Sequence, residues 1–231
     1  MKTIGLLGGM SWESTLTYYR LLNAGTAARL GGLHSAKIVL WSVDFDEIAA
    51  MQAEGRWDDA GARLADCARA LERAGADFIV LATNTMHKVA PAIEAAVEVP
   101  LLHIVDTTAA AIRAAGLVRV GLLATRFTME QPFVRDRLAQ HGIDALVPDK
   151  DERDEVHRVI YEELCRGRID DGSRDFYRQA MRRLVDRGAQ GIILGCTEIM
   201  LLVGAGDTTV PVFDTTELHA RAAVDFALGG T

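Results

Sequence analysis

The chain has 231 residues, of which 49% are hydrophobic and 25% are charged, and its formal net charge is -7. This composition is typical of a globular protein with a sizeable core and excludes a disordered or fibrous chain. The acidic balance, with no Lys- or Arg-rich stripe to offset it, argues against a nucleic-acid partner. Because no apolar run reaches the roughly 18 residues of a membrane span, we expect no membrane partner and a cytoplasmic location.

The three cysteines, Cys67, Cys165 and Cys196, form no C-x-x-C pair. Their odd number fits a reducing compartment and argues against a disulfide framework or a zinc ribbon. The histidines also lack short ligand spacing such as H-x-x-x-H, so the sequence predicts no metal site. The glycine-rich segment at residues 5–9 does not match G-x-G-x-x-G or a P-loop, which leaves nucleotide binding without support.

Short apolar runs alternate with longer segments of helical periodicity along the chain. This alternation predicts an α/β fold with parallel sheets flanked by helices. Two of the helices should stop at Gly75 and Gly188, since glycine is favoured just after a helix end. The predicted strands are residues 4–7, 38–43, 78–81, 101–104, 118–123 and 191–194, and the predicted helices are residues 14–30, 57–74, 129–141, 152–165 and 174–187.

Four landmarks of the first half of the chain return in the same order in the second half. This order predicts two pseudo-symmetric lobes, each with a parallel sheet. We place the N-terminal lobe at residues 1–110, the C-terminal lobe at residues 111–213, and a C-terminal helix at residues 214–231 that can pack back on the first lobe. The matched segments are 4–8 with 120–124, 75–85 with 188–198, 99–100 with 210–211, and 106–108 with 214–216.

Small polar residues follow several of the predicted strands. Ligands bind beyond the carboxyl ends of strands in open parallel sheets, so two such edges facing each other would form a cleft that holds the active site. Each residue alone could be a helix cap or turn former, but the set favours a site for a small carboxylate. These residues are Gly8-Gly9-Met10-Ser11, Thr83-Asn84-Thr85, Thr125 and Cys196-Thr197.

Cys196 is the strongest candidate for a catalytic group. It follows an apolar strand and precedes a predicted helix, whose N-terminus would lower the pKa of the thiol and make the thiolate a usable base or nucleophile. The alternative, a small core residue, is disfavoured by the flanking Gly195 and Thr197. Cys67 lies on an apolar helix face and is expected in the core. His87, one turn after Thr83, either orients the site or serves as a cap or core residue.

Motifs along nearly the whole chain are similar to those of the cofactor-independent aspartate/glutamate racemases. The resemblance implies two lobes that contribute to opposite faces of an amino-acid substrate. One thiolate removes the α-proton and a thiol on the other face returns a proton, without pyridoxal phosphate or another cofactor. The motifs are Ile4-Gly5-Leu6-Leu7-Gly8-Gly9-Met10-Ser11-Trp12, Asn84-Thr85-Met86-His87, Gly195-Cys196-Thr197-Glu198 and Val210-Pro211-Val212-Phe213-Asp214-Thr215.

The chain departs from the usual family motif Cys-Asn-Thr, because it has Thr83-Asn84-Thr85 at that position. In this respect it resembles the L-aspartate/glutamate-specific racemases. A threonine hydroxyl is too weak an acid to be held as an alkoxide base, but it can donate or relay a proton. The resemblance therefore implies that Cys196 removes the α-proton, expected to be that of the L-enantiomer, and that Thr83 returns a proton on the other face.

The resemblance also implies which residues hold the substrate, an L- or D-enantiomer of aspartate or glutamate. It implies a homodimer as well, in line with the commonness of two-fold assemblies. Surface solvation is the alternative for Arg166. Donors to the α-carboxylate would be Asn84, Thr85, Thr125 and Thr197, and the side-chain carboxylate would meet Met10, Ser11, Gln52 and Arg166.

Two other functions stay open from the sequence. A decarboxylase or isomerase of the same superfamily, acting on a malonate, maleate or hydantoin, also needs only one proton-handling thiol. A two-lobed protein that binds acidic amino acids without turnover would fit the loss of one thiol. Substrate choice distinguishes the first of these functions from a racemase, and ligand-induced thermal stabilisation without product would support the second.

Overall fold

Eight strands and ten α-helices alternate in the computed structural model, which describes residues 1–230. The alternation confirms the predicted α/β fold. The strands are β1 (Ile4–Gly8), β2 (Ile38–Ser42), β3 (Phe78–Leu81), β4 (Leu101–Leu102), β5 (Arg119–Ala124), β6 (Asp144–Leu146), β7 (Ile192–Gly195) and β8 (Val212–Asp214). The helices are α1 (Trp12–Leu30), α2 (Phe45–Ala53), α3 (Trp57–Arg73), α4 (Ala90–Glu94), α5 (Ile104–Ala114), α6 (Arg126–Glu130), α7 (Pro132–Gln140), α8 (Lys150–Glu162), α9 (Asp171–Asp186) and α10 (Thr215–Ala227).

The strands form two sheets with the same internal order. One sheet has the order β2-β1-β3-β4 and the other has the order β6-β5-β7-β8. All paired strands are parallel, so each connection crosses over through a helix or loop. Because β1 corresponds to β5 and β3 to β7, the shared order matches the repeated landmarks and confirms the pseudo-symmetry predicted from them.

The chain is divided between two compact units. Unit 1 contains Met1–Ile104 and the segment that begins at His219, and unit 2 contains Val105–Leu218. The chain thus leaves unit 1 within α5 and returns to it within α10, whereas the repeat pattern placed the lobe limits at residues 110 and 213. The last residue of the predicted C-terminal helix, Thr231, lies outside the described residues.

Alternate side chains of the central strands of unit 1 pack against helices on opposite faces of its sheet. Leu7 belongs to a buried cluster with Leu64 of α3. Ile4 belongs to a second buried cluster with Tyr18 of α1 and Val224 of α10. Burial on both faces explains why β1 and β3 are continuous apolar runs in the sequence.

Glycines within the repeated strands permit close packing. A Cβ on Gly121 of β5 would lie 3.1 Å from Leu184 Cβ of α9. At the equivalent position of β1, a Cβ on Gly5 would lie 2.8 Å from Ala76 Cβ. The absence of a side chain at these glycines therefore allows the residues that cover each sheet to pack closely against it.

Several element limits differ from the prediction. Residues 129–141 form two helices because Pro132, which has no amide N–H, begins α7 after the extended Gln131. The strand predicted at residues 101–104 ends early, since Ile104 already begins α5. The predicted helix stops are confirmed, with φ of 92° at Gly75 and 98° at Gly188. The elements that the prediction omitted include α2, α5, β6 and β8.

Candidate active site

Two predicted site segments lie at neighbouring strand ends of unit 1. The strands β1 and β3 are adjacent, and the N–H of Ala82, the residue after β3, donates to the carbonyl of Leu7 in β1 at 2.9 Å. The structure therefore brings together the turn that contains Met10 and Ser11 and the turn that contains Thr83, as the strand-end argument predicted.

The glycine turn after β1 is closed by hydrogen bonds to α1. The Gly9 N–H donates to Thr15 Oγ1 at 2.7 Å, and that hydroxyl donates to the Ser11 carbonyl at 2.9 Å. Ser11 Oγ also accepts from the Ser14 N–H at 3.2 Å and so caps α1. Gly9 has a φ of 93°, and a Cβ there would lie 2.3 Å from the Val43 carbonyl oxygen. Glycine is needed here for the turn itself.

Gln52 and Met86 connect α2 with the turn after β3. The Gln52 side chain is buried, and its Nε2 donates to Met86 Sδ at 2.9 Å. Met10 and Met86 belong to the same buried cluster. Three of the residues predicted to contact substrate, Met10, Ser11 and Gln52, are thus near the turn that begins at Thr83, and their contacts with substrate stay predictions.

His87 fixes the backbone of Thr83. Its Nδ1 lies 2.7 Å from the Thr83 carbonyl oxygen, and its Nε2 lies 3.2 Å from the Ile104 amide nitrogen. A carbonyl only accepts and an amide N–H only donates, so the ring carries its proton on Nδ1 and is neutral. His87 is buried, whereas Thr83 is partly exposed. Of the two roles considered for His87, the structure favours holding the turn.

Further buried rings adjoin His87. Its ring centroid lies 4.5 Å from that of His103 and 5.8 Å from that of His219. His219 donates from Nε2 to the Leu102 carbonyl at 2.8 Å and accepts at Nδ1 from the Tyr18 hydroxyl at 2.9 Å. Burial lowers the pKa of His219 to about 4. This imidazole is therefore neutral at physiological pH.

The remaining strand-end candidates lie together in unit 2. Gly195 of β7 is paired with Ala124 of β5, so Cys196 and Thr125 follow neighbouring strands. Thr125 is buried, and its hydroxyl lies 3.2 Å from that of Thr128. The structure thus brings Thr125, Cys196 and Thr197 to one edge of the second sheet.

Glu198 accepts hydrogen bonds from both side chains that precede it. The Cys196 thiol donates to Glu198 Oε2 at 2.9 Å, and the Thr197 hydroxyl donates to the same oxygen at 2.8 Å. Glu198 is buried, while Cys196 and Thr197 are partly exposed. From the sequence, Glu198 belongs to a motif but has no predicted role of its own. The feature of the sequence that points to Glu198 is its position two residues after a candidate catalytic thiol.

The thiol pKa departs from its ordinary value in the direction opposite to the prediction. Burial raises the pKa of Cys196 well above its ordinary value, and the charge and hydrogen bond of Glu198 raise it further. The backbone N–H of Glu198 acts in the other direction but does not outweigh them. The segment Ile199–Leu201 is only a 3-10 turn. The predicted lowering by a helix N-terminus is therefore wrong.

Two tyrosines and a second cysteine surround Cys196. Burial raises the pKa of Tyr161 and of Tyr177, and the charge of Cys196 raises both further. The charge of Cys165 in turn raises the pKa of Cys196. Burial and the neighbouring negative charges therefore both disfavour the charged form of the Cys196 thiol.

The basic segment after α8 is anchored by a buried carboxylate. Glu163 accepts from Arg168 at 2.9 Å, from Arg158 at 3.0 Å and from the Ser173 hydroxyl at 2.7 Å. Arg166 is exposed and ends the 3-10 turn Leu164–Arg166, in which Leu164 is buried. Because Arg168 is paired with Glu163, Arg166 is the better candidate in this segment for binding an anion.

A surface groove of about 580 Å³ lies between α3 and α4, away from all these residues. Small side chains line most of it, and Lys88 Nζ lies 3.7 Å from the centroid of the Trp57 ring. None of the predicted site residues lines this groove.

Residues 1–230 contain neither a cluster of metal-binding side chains nor a membrane-spanning helix. No group of three or more His, Cys, Asp or Glu side chains in that range could hold a metal ion. No helix in the same range is long and apolar enough to cross a membrane.

Comparison with known proteins gives consistent results. The family model described as Asp/Glu/Hydantoin racemase matches residues 7–223. The chain is similar to a candidate Asp/Glu racemase from Yersinia pestis, with 58% identity, a TM-score of 0.94, and coverage of 99% of this chain and 100% of that one. An aspartate racemase homologue from Pyrococcus horikoshii OT3 shows 34% identity, a TM-score of 0.88 and the same coverage. Glutamate racemase from Francisella tularensis shares the fold, with 16% identity, a TM-score of 0.69, and coverage of 99% and 81%.

Proposed function

The chain belongs to the Asp/Glu/hydantoin racemase family, and on that premise we propose that it interconverts the enantiomers of aspartate or glutamate without pyridoxal phosphate. Family membership makes it a racemase, which is an isomerase. In such a reaction a proton leaves Cα on one face and another arrives on the opposite face. The proposal therefore requires one base and one proton donor.

The observation that carries the proposal is that Cys196, a partly exposed residue directly after β7, has its thiol hydrogen-bonded to Glu198. We propose that Cys196 removes the α-proton of the L-enantiomer. The raised thiol pKa supports this role, because a thiolate with a weaker conjugate acid is a stronger base toward a C–H bond. The same shift makes the thiolate scarce, so its formation needs a further explanation.

Thr83 is proposed as the donor on the other face. It is partly exposed and follows β3, which has the same position in its sheet as β7 has in the other. His87 fixes its backbone through a 2.7 Å hydrogen bond. A hydroxyl of this kind donates or relays a proton but is not held as an alkoxide base. The two strand ends therefore have different chemical roles.

Substrate binding is proposed to use the small polar groups at the strand ends. Thr197 donates its hydroxyl proton to Glu198, so its backbone N–H is the group that we propose for the α-carboxylate. A guanidinium suits the second carboxylate of an acidic amino acid, because it can form two parallel hydrogen bonds with it. The proposed donors to the α-carboxylate are Asn84, Thr85, Thr125 and Thr197, and the proposed contacts of the side-chain carboxylate are Met10, Ser11, Gln52 and Arg166.

The proposed preference for the L-enantiomer is subject to a thermodynamic limit. Enantiomers have equal free energy, so kcat/KM must be the same in both directions. A preference can appear only in kcat and KM separately or in isotope exchange. The proposal is therefore a statement about which face Cys196 serves.

Loss of optical activity from L-Asp, D-Asp, L-Glu and D-Glu tests the proposal. Cys196→Ala should lower the rate by about 10²- to 10⁴-fold, the usual contribution of a positioned base. Cys67→Ala removes a thiol that is buried in the core and is expected to retain activity. Binding of all four amino acids without turnover would contradict the proposal and favour a binding protein. Turnover of a malonate, maleate or hydantoin alone would favour the decarboxylase or isomerase.

The expected partners stay predictions as well. We propose a homodimer, which sedimentation velocity would test directly. An exclusively monomeric chain at micromolar concentration would contradict it. The expectation of no nucleic-acid or membrane partner is tested by the same method with added DNA or lipid vesicles.

A further inference from the structure

Glu198 contacts the sulfur of Cys196 through two groups of opposite character. Its carboxylate oxygen Oε2 accepts the thiol proton at 2.9 Å. Its backbone N–H acts on the same sulfur in the direction that favours a thiolate. The side chain is buried, so bulk water does not compete freely for these contacts. A proton can therefore move between sulfur and oxygen with little rearrangement.

We propose that Glu198 accepts the thiol proton of Cys196 and thereby generates the thiolate that removes the α-proton. The inference rests on the proposed racemase function and assigns Glu198 a proton-accepting role toward Cys196. It concerns a residue that the sequence analysis left without a function.

Charge explains why an internal acceptor is useful at this site. Burial and the charge of Glu198 hold the pKa of Cys196 well above its ordinary value, so loss of the proton to water would leave few thiolates at neutral pH. Each pH unit below a pKa lowers the ionised fraction about tenfold. Loss to water would also place two negative charges side by side where burial already disfavours charge. Transfer of the proton to Glu198 instead leaves only one negative charge on the Cys196–Glu198 pair.

The neighbouring hydroxyl sets the resting position of the proton. Thr197 donates to the same Glu198 oxygen at 2.8 Å and stabilises the carboxylate form. The resting pair is therefore a thiol and a carboxylate. After transfer, the Glu198 N–H can stabilise the thiolate. The Glu198 carboxylate and the Cys196 thiolate are thus each stabilised by a hydrogen-bond donor, the Thr197 hydroxyl and the Glu198 N–H respectively.

The protons balance through a complete turnover. The thiol proton passes from Cys196 Sγ to Glu198 Oε2, which leaves a thiolate and a carboxylic acid. A sulfur lone pair then takes the α-proton, and the C–H electron pair stays on Cα as a carbanion. The carbanion is protonated on the other face from Thr83. The pair finally releases one proton to solvent, and the proton delivered through Thr83 is replaced from solvent.

Internal transfer has a distinctive dependence on pH. While Cys196 and Glu198 together hold one proton, the thiolate fraction is independent of pH. We expect the rate of α-deuterium incorporation at low substrate concentration to change by less than about twofold from about pH 6.5 to about pH 8.5 in the wild type. In Glu198→Gln the thiolate forms only by loss of a proton to water, so the rate should rise about tenfold per pH unit.

Alkylation of Cys196 gives a second readout that does not require turnover. Glu198→Gln removes a negative charge and a proton acceptor, so its thiol should ionise at lower pH than that of the wild type. Iodoacetamide should then label the Cys196 peptide about tenfold faster at about pH 9, as followed by mass spectrometry. Glu198→Gln should thus make Cys196 more reactive toward iodoacetamide and yet slow α-proton exchange at neutral pH. Replacing a residue with only a structural role is not expected to have both effects.

Asp207→Asn is the matched control. Asp207 lies in the same loop after β7, is mostly buried and pairs with Arg178 at 2.6 Å, but it makes no contact with the thiol. Its variant should keep the flat pH profile and the wild-type labelling. A flat profile or unchanged labelling in Glu198→Gln would overturn the inference. If the wild type exchanges none of the four amino acids, the proposed function fails, and labelling alone still decides whether Glu198 controls the thiol.

Discussion

Thr83 and Cys196 occupy equivalent positions in the sequence repeat but have different immediate surroundings. Around Cys196 the side chain itself is engaged, through Glu198. Around Thr83 the backbone carbonyl is engaged, through His87. The repeat pairs Glu198 with Thr85, so the first strand end has no carboxylate at the equivalent position. The proposed difference in proton chemistry between the ends of β3 and β7 therefore involves two residues at each end, Thr83 with Thr85 and Cys196 with Glu198.

Thr83→Ala should separate proton removal from proton return. Loss of the hydroxyl removes the proposed donor, and inversion of L-aspartate or L-glutamate should fall about 10²- to 10⁴-fold. Incorporation of α-deuterium into the L-substrate should fall much less, because Cys196 is intact. Thr83→Ser keeps a hydroxyl and should retain most of the inversion rate. Equal losses of exchange and inversion in Thr83→Ala would contradict the assigned role.

The site residues could be predicted from the sequence only where local pattern was sufficient. Cys196 is a candidate from the sequence because a thiol directly after an apolar strand is a local feature. The hydrogen bond between Glu198 and the Cys196 thiol and the sign of the Cys196 pKa shift could not be predicted, since both depend on burial and on the direction of a side chain in the folded turn. Arg168 differs from Arg166 only through its ion pair with Glu163, a contact that the sequence does not reveal.

Strand-end turns carry the proposed chemistry, and their stability depends on a few contacts. The turn after β1 is held by Gly9 and Thr15, and the segment after α8 is held by Glu163. Thr15 binds two backbone groups of the first turn, and Glu163 binds three side chains around the second segment. The turns should therefore respond strongly to single substitutions.

Gly9→Ala should cost more stability than a matched glycine substitution. Gly9 and Gly55 both have positive φ, 93° and 73°, but only Gly9 is crowded, with a Cβ placed 2.3 Å from the Val43 carbonyl oxygen. We expect Gly55→Ala to lower the free energy of unfolding by about 1 kcal/mol and Gly9→Ala by at least about 3 kcal/mol. Urea unfolding measures both, and equal losses would contradict the proposed crowding.

Glu163→Gln should destabilise unit 2, because it leaves two guanidinium groups and Ser173 without their charged acceptor. Desolvation raises the pKa of Glu163, but hydrogen bonds from Ser173, Arg158 and Arg168 outweigh it and lower the pKa overall. Its stabilisation is therefore present above the unfolded-state pKa of about 4.3 and is lost as pH falls below it. We expect about 1–3 kcal/mol less stability at neutral pH by urea unfolding. No difference between variant and wild type at neutral pH would contradict this.

Most of the sheet architecture could be predicted because buried strands are apolar runs. The missing elements were those with weak local signals. β6 and β8 have only three residues each, and α5 begins one residue after the short strand β4, so the predicted strand includes the first residue of α5, Ile104. The break between α6 and α7 depends on Pro132, whose effect was not weighed against the helical periodicity around it.

At the scale of the whole chain, the last helix completes the core of the first unit. Val224 of α10 packs in the cluster that contains Ile4 and Tyr18, and the Lys2 N–H donates to the Ala227 carbonyl at 2.8 Å. His219, at the start of the returning segment, binds both Tyr18 and the Leu102 carbonyl. Folding of unit 1 therefore depends on residues from both ends of the chain.

The buried His219 predicts a loss of stability in acid. Its pKa is lowered to about 4 by burial, against an unfolded value of about 6.5. A lowered folded-state pKa gives stability that is present above about pH 6.5 and is lost as pH falls toward about 4, a difference of about 3 kcal/mol. The stability gap between wild type and His219→Phe in urea unfolding should therefore shrink by this amount between about pH 7 and about pH 4.

Exposed histidines provide the control for this measurement. His34→Gln, which replaces an exposed imidazole outside this buried cluster, is the control variant. Tyr18 and His87 are the titratable groups that face His219, and both are retained in the two variants. A gap between wild type and His219→Phe that stays constant with pH would contradict the neutral, buried state of His219.

The central claim is that Cys196 is the base, and isotope exchange in deuterated buffer tests it most directly. Early in the reaction, recovered L-aspartate or L-glutamate and the newly formed D-enantiomer are separated, and the α-deuterium in each is measured by mass spectrometry. We expect deuterium to enter the L-substrate faster than the D-enantiomer forms, and both processes to be lost in Cys196→Ala. Exchange or inversion that persists in Cys196→Ala would contradict the account.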